Sequence, residues 1–282
     1  MKKIKSLREL QIIQINILKK FINFCEKNNL KYFLAYGSLL GCVREQKFIA
    51  WDDDIDVAMP RYDYEKLIEL METHKIDKYI EIYDPVKIDN SWSLVIRIFD
   101  NRTLITSSDV KIGIYIDVTP VDIFPDNFLI YNLWILWIWL NKKAMILAQV
   151  KYKSASFSKL LLKILSLPFI LMAKILGYKF FKNNVINSAA LFSKINYKSD
   201  KVGIILALWP TGKLKLNKNW IDEYEKKIFE NIYVNVPKGY DKMLRIWYKN
   251  YWELPHEKDR VPEHSIDACW IEREKCELYE TV

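Results

Sequence analysis

Within Trp51-Asp52-Asp53-Asp54-Ile55-Asp56-Val57, four carboxylates fall inside five residues, and that crowding constrains the chain more than any other feature. Carboxylates this close repel one another, so the segment is costly to fold unless cations compensate. Ile55 and Val57 alternate with Asp54 and Asp56. The alternation predicts a strand over 54–59, with two acids on one face and two aliphatic side chains in the core. Paired carboxylates on one face suit Mg²⁺ (with Mn²⁺ as a substitute), which takes oxygen ligands and usually shares substrate phosphates. A solvated acidic loop ahead of a helix is the plainer reading of the same residues.

The surroundings favour the first reading. The chain has 282 residues, enough for one large domain or two small ones with a real core. Hydrophobic residues at 51% and charged residues at 28% exclude disorder and fibrous repeats. Glycines number seven, and neither the Walker nor the dinucleotide glycine pattern occurs. Two of the seven, Gly37 and Gly41, follow a short apolar strand predicted over 31–36. A strand ending in Gly37-Ser38, then 15 residues, then Asp-x-Asp on a strand, matches the arrangement of the nucleotidyltransferase superfamily. There the Gly-Ser pair opens a helix whose free amides hold a diphosphate or triphosphate. A third carboxylate is expected between apolar neighbours on an adjacent strand, and Ile116-Asp117-Val118 supplies it.

The rest of the chain reads as α+β, a mixed sheet with flanking helices. Ser6 and Glu9 form a capping box for a helix to about Glu26. Pro60 opens a helix to about Met71, strands follow at 79–83, 92–99 and 112–118, and Pro237-Lys238-Gly239 precedes a helix over about 240–251. Composition divides the chain into a catalytic core over 1–125, a helical apolar and basic segment over 126–214, and a C-terminal module over 215–282 that completes the catalytic domain.

The stretch from Gly37-Ser-Leu-Leu-Gly41-Cys-Val-Arg44 through Phe48-Ile-Ala-Trp51-Asp-Asp-Asp-Ile-Asp56 closely resembles the LicD family. These are phosphocholine transferases of bacterial surface glycans, relatives of the fukutin-type phosphoribitol transferases. Arg97-Ile-Phe-Asp100-Asn-Arg102-Thr103 and Gly113-Ile-Tyr-Ile-Asp117-Val-Thr-Pro120-Val-Asp122 are similar to further blocks of the family, and segments over 228–264, including His264, resemble its closing module. The resemblance implies metal-dependent transfer of phosphocholine, or a related substituted phosphate, from a CDP-linked donor to a hydroxyl of a glycan or lipid-linked glycan precursor in lipopolysaccharide, capsule or teichoic acid. Asp54, Asp56 and Asp117 are then the catalytic and metal-holding residues. Gly37, Ser38, Arg44, Asp53, Arg97, Arg102 and His264 are the expected donor-binding residues. Nucleotidyl transfer from an NTP is the alternative that the same carboxylates would serve.

A net charge of +8 raises the possibility of a basic nucleic-acid-binding protein, but no recognised nucleic-acid motif appears and the clustered aspartates would repel a phosphate backbone. No nucleic-acid partner is expected. His256, His264, Cys269 and Cys276 are too widely spaced for an ordinary structural zinc site. Scattered cysteines and a charged N-terminus suggest the cytoplasm. The apolar runs over 128–140 and 160–176 fall short of a bilayer span, and lysines accompany their tryptophans and leucines. They are expected either to close the back of the sheet or to rest on the inner membrane face.

Overall fold

A computed structural model describes residues 2–88, 93–106, 111–149, 160–206, 215–262 and 267–271, with 160–170 as helix backbone. The chain runs β1 (Lys2–Lys3), α1 (Leu7–Lys27), β2 (Phe33–Leu34), α2 (Tyr36–Glu45), β3 (Asp56–Pro60), α3 (Arg61–Thr73), β4 (Ile80–Tyr83), β5 (Ile96–Asp100), β6 (Thr103–Ile105) and β7 (Tyr115–Ile123). It continues with α4 (Phe128–Gln149), α5 (Leu160–Lys194), β8 (Lys201–Gly203), β9 (Lys215–Asn217), β10 (Tyr224–Phe229), β11 (Ile232–Pro237), α6 (Tyr240–Tyr248) and β12 (Ala268–Trp270).

The central sheet has the order β2-β3-β7-β5-β4. β3 and β7 are parallel, whereas β2–β3, β7–β5 and β5–β4 are antiparallel. Near its far end β7 pairs with β8, which pairs in turn with β9. This is the mixed α+β sheet that the order of strands and helices predicts.

Several elements are trimmed or extended relative to their sequence patterns. The expected strand over 31–36 shrinks to two residues because α2 already begins at Tyr36. The strand expected from residue 54 starts at Asp56, since a turn closed by the Asp52 amide donating to the Ile49 carbonyl at 2.9 Å leads into irregular backbone at Asp53 and Asp54. The strand expected over 92–99 runs from Ile96 to Asp100, with Trp92 outside the described residues. β7 continues through Pro120 to Ile123, well beyond the expected residue 118. The C-terminal helix stops at Tyr248, where Lys249 adopts φ 58°.

Two apolar cores hold these layers. The larger packs α1 on the sheet and gathers α2, α6 and the β10–β11 hairpin, with Ile17, Leu18, Phe21, Phe33 and Trp247 among its buried side chains. Half of the expected capping box forms on α1: the Glu9 amide donates to Ser6 Oγ at 3.1 Å, while the Glu9 carboxylate accepts from the Lys5 amide at 3.1 Å. The second core lies between α4, α5 and neighbouring segments, built on Phe124, Trp134, Ile138, Phe181 and Val185. Between the two sits a buried ion pair. Arg61 at the start of α3 donates Nε and Nη2 to Asp122 on β7 at 2.7 and 2.6 Å, and Ser193 of α5 donates to the same carboxylate at 3.0 Å. Burial pushes the Asp122 carboxyl above its usual range even though Arg61 and Ser193 pull it down.

Candidate active site

The register of the sheet brings the site together. Asp56 on β3 lies opposite Asp117 on β7, and Asp117 lies opposite Arg97 on β5. Three residues 61 positions apart at the extremes thus form one rung across adjacent strands. The Arg97 Nε donates to Asp117 Oδ1 at 2.9 Å, and its guanidinium lies over the Tyr115 ring at 4.1 Å. Val57 and Val118, which follow the two acids, are buried on the opposite face. The alternation seen in sequence therefore holds at these strands, acids toward a cleft and aliphatics toward the core.

That cleft encloses about 1700 Å³. Gly37, Arg44, Asp54, Asp56, Arg97 and Asp117 all line it, as do Trp139, Lys142 and Lys143 from α4 and Tyr248, Asn250 and Tyr251 from the C-terminal side. Asp54 reaches it from the turn ahead of β3 rather than from the strand itself. Gly37 is needed for close approach. A Cβ at that position would lie 2.8 Å from Asp52 Oδ2, so a side chain there would displace the Asp52 carboxylate. Tyr36, just before it, holds φ 44°, an uncommon backbone for a bulky residue, and its ring packs on Trp247 with centroids 4.5 Å apart. Burial, reinforced by the Asp56 charge, pushes the Tyr36 hydroxyl well up. Tyr115, buried beside Asp117, is pushed up to about 12.

The remaining expected residues take other places. Ser38 is buried and outside the cleft lining, with its Oγ accepting the Asp56 amide at 3.0 Å. It anchors the start of β3 from α2. The Asp53 side chain is buried too, away from the lining. Arg102 pairs with Asp100 two residues earlier and lies over the rings of Tyr79 and Trp270, also away from the lining. Arg44 does line the cleft, held by Glu45 at 2.7 Å and by the Tyr251 carbonyl at 3.0 Å. His264 and Cys276 lie outside the described residues.

Two residues of the site escape sequence reading. Gln11 and Gln14 sit on the buried stripe of α1 among leucines and isoleucines. Gln11 Nε2 donates to the Asp52 carbonyl at 2.9 Å, and Gln14 Nε2 donates to the carbonyls of Asp53 and Tyr115 at 3.0 and 3.2 Å. They tie the acidic turn to β7. Polar side chains inside an otherwise apolar helical stripe were the available signal.

The donor set suits a hard cation. Side-chain oxygens of Asp52, Asp53 and Asp54 lie within 4.8 Å of one another, a convergence of three carboxylates among the described residues. Asp56 and Asp117 add two more along the same cleft. Hard oxygen donors of this kind fit Mg²⁺ or Mn²⁺, and among the described residues the cluster of Asp52, Asp53 and Asp54 includes no sulfur or imidazole.

An α+β sheet that presents carboxylates on neighbouring strands, beside the first turn of a helix that carries Gly37, has the features that the sequence led us to expect. Comparison with known proteins agrees: residues 29–145 match the model of the LicD/FKTN/FKRP nucleotidyltransferase domain. Over 274 residues the chain is 30% identical to the lipopolysaccharide cholinephosphotransferase LicD of Haemophilus influenzae, covering 95% of this chain and 99% of that protein. Uncharacterized proteins of Rickettsia prowazekii and Rickettsia typhi are each 40% identical over 47 residues, 17% of this chain and 18% and 15% of theirs. The chain belongs to the LicD family, and it is a transferase.

Proposed function

We propose that this enzyme moves phosphocholine, or a closely related substituted phosphate, from a CDP-linked donor to a hydroxyl of a surface-glycan precursor, with lipopolysaccharide the first acceptor to test. The observation that carries the reading is the end-to-end relationship to a cholinephosphotransferase, together with a carboxylate-lined cleft built from the related region.

In this reading Asp54, Asp56 and Asp117 would hold Mg²⁺ or Mn²⁺, with Asp52 adding negative charge at the cleft lining and Asp53 behind it. When bound, the cation offsets charge on the diphosphate as CMP departs. The chain's own residues do the positioning. The N-terminal amides of α2, with Gly37 at the cleft wall, face the donor phosphates. Arg97 supplies a fixed positive charge at the Asp117 rung, and Arg44 supplies another across the cleft. Asp117 has one oxygen engaged by Arg97 and a second to offer a cation or the acceptor hydroxyl. The acceptor oxygen attacks the phosphorus that bears choline, the bond from that phosphorus to the CMP oxygen breaks, and the hydroxyl proton leaves to a carboxylate. Phosphoryl transfer depends chiefly on such positioning and electrostatics, which is consistent with a site poor in histidine.

The domain description favours a second reading, nucleotidyl transfer, in which the nucleoside phosphate moves instead. Product mass separates the two. With CDP-choline and a lipopolysaccharide acceptor, a gain of phosphocholine and release of CMP is expected. A gain of the nucleotide overturns the proposal. Asp56→Ala should abolish CMP release while leaving the circular dichroism of the fold unchanged; a variant with wild-type turnover would remove the carboxylates from the mechanism.

A further inference from the structure

Helix α4 is apolar on all sides, yet only a narrow stripe of it is covered. Trp134, Ile138, Asn141 and Met145 face inward at helical spacing. On the outer arc Leu129, Leu133, Leu136 and Leu140 stand exposed at the same spacing, and Phe128 at its start is 82% exposed. α5 adds further exposed apolar side chains, Leu171 and Ile175 before its break at Gly177 and Phe180 after it, Ile175 being 75% exposed. A run of exposed aliphatic and aromatic side chains this long is unusual on a water-facing surface and marks a contact site.

Charge identifies what covers it. From Phe128 to Lys194 the sequence holds ten lysines and no aspartate or glutamate. Lys143, Lys174 and Lys179 are exposed on the two helices. A second copy of this chain would set lysine against lysine. Apolar side chains mixed with lysines match the boundary between acyl chains and anionic headgroups. Among the described residues no helix is long and apolar enough to cross a membrane, so the contact is one of lying on the bilayer rather than spanning it.

We propose that the outer face of α4 and α5 docks on an anionic phospholipid bilayer. The same helix turns Trp139, Lys143 and Ile146 into the wall of the cleft, so docking places the cleft mouth at the lipid surface. The docking itself does not depend on which group the enzyme transfers.

The full chain mixed with phosphatidylcholine vesicles containing phosphatidylglycerol should co-sediment at low salt and largely release at high salt. It should bind pure phosphatidylcholine far more weakly. Leu129→Glu with Leu133→Glu should lower partitioning about tenfold or more. The charge-matched pair Ile228→Glu with Tyr233→Glu, on the exposed side of β10 and β11, should bind like wild type. Failure of wild type to bind anionic vesicles at low salt overturns the proposal, as does undiminished binding by the α4 pair. A self-associated wild type that binds no vesicles, dissociated by the α4 pair, would assign the face to a second copy instead.

Discussion

Helices α1 and α4 are nearly the same length, 21 and 22 residues, and stand in opposite relations to the core. Along α1 the apolar positions are mostly buried, Ile12 excepted, Gln11 and Gln14 share their stripe, and Arg8, Lys19, Glu26 and Lys27 lie on the water-facing side. Along α4 the buried stripe is reduced to Trp134, Ile138, Asn141 and Met145, while leucines and tryptophans face outward. The composition of α1 is explained by the sheet it covers. The composition of α4 is only half explained by the fold, and the other half belongs to a contact outside the chain.

Truncating the covered stripes tests the similarity between the helices. Phe21→Ala on α1, where the ring meets Tyr32 edge-on at 5.6 Å, should cost about 3–5 kcal/mol in urea unfolding. Trp134→Ala on α4 should cost a similar amount, because that ring packs on Phe124 and Phe192 and its Nε1 donates to the Ser188 carbonyl at 2.7 Å. Leu133→Ala, one residue away on the outer arc, should change stability by less than about 0.5 kcal/mol. A large loss at Leu133 would show that the outer arc is structural after all.

The polar residues on the two inner stripes separate site from scaffold. Gln14→Leu removes the donor from the buried Asp53 carbonyl and the half-buried Tyr115 carbonyl and should cost about 1–3 kcal/mol. It should also slow turnover at temperatures where the variant is fully folded, since the acidic turn loses its tie to β7. Unchanged turnover would make the glutamine a purely structural strut.

Lys142 on α4 gives an effect that depends on pH. Its Nζ donates to the Ile205 carbonyl at 3.1 Å, and burial lowers its pKa to about 8. Below pH 8 the ammonium is charged in both folded and unfolded chains, and the full burial cost is present. Between pH 8 and the ordinary value of 10.5 the unfolded chain binds more protons, so folding stability rises with pH. The slope is on the order of 1 kcal/mol per pH unit. Lys142→Met should lack that rise, so denaturant curves of the two proteins should converge as pH increases through this window.

Legibility in the sequence followed the range of the interactions. The acidic cluster, Asp117 and the first helix were readable because alternation, helical period and a capping box act over a few residues. The role of Ser38 was not. Its bond to the Asp56 amide spans 18 positions and exists only once α2 has folded beside β3. The same holds for Gln11 and Gln14, whose partners lie 41, 39 and 101 positions away. Arg97 and Arg102 look equivalent in sequence, yet strand register sends the first to Asp117 and the tight turn after β5 returns the second to Asp100. The β10–β11 hairpin went unread because Glu225, Lys226 and Lys227 interrupt its strand pattern with charge. The apolar run over 128–140 does not mark the end of α4, because the helix carries Asn141, Lys142 and Lys143 on to Gln149.

The rung formed by Asp56, Asp117 and Arg97 bears on how a gene of this kind can change length. Side chains along a strand alternate between faces, so gaining or losing one codon within β3, β7 or β5 turns every residue beyond it to the opposite side. The carboxylate would enter the core and an aliphatic side chain would enter the cleft. Point substitutions can accumulate in these strands one at a time, but single-residue insertions and deletions cannot. Tolerated changes of length are therefore expected to fall in the turns between the strands, while the interval from Asp56 to Pro60 and its partner from Asp117 to Val121 keep a fixed count.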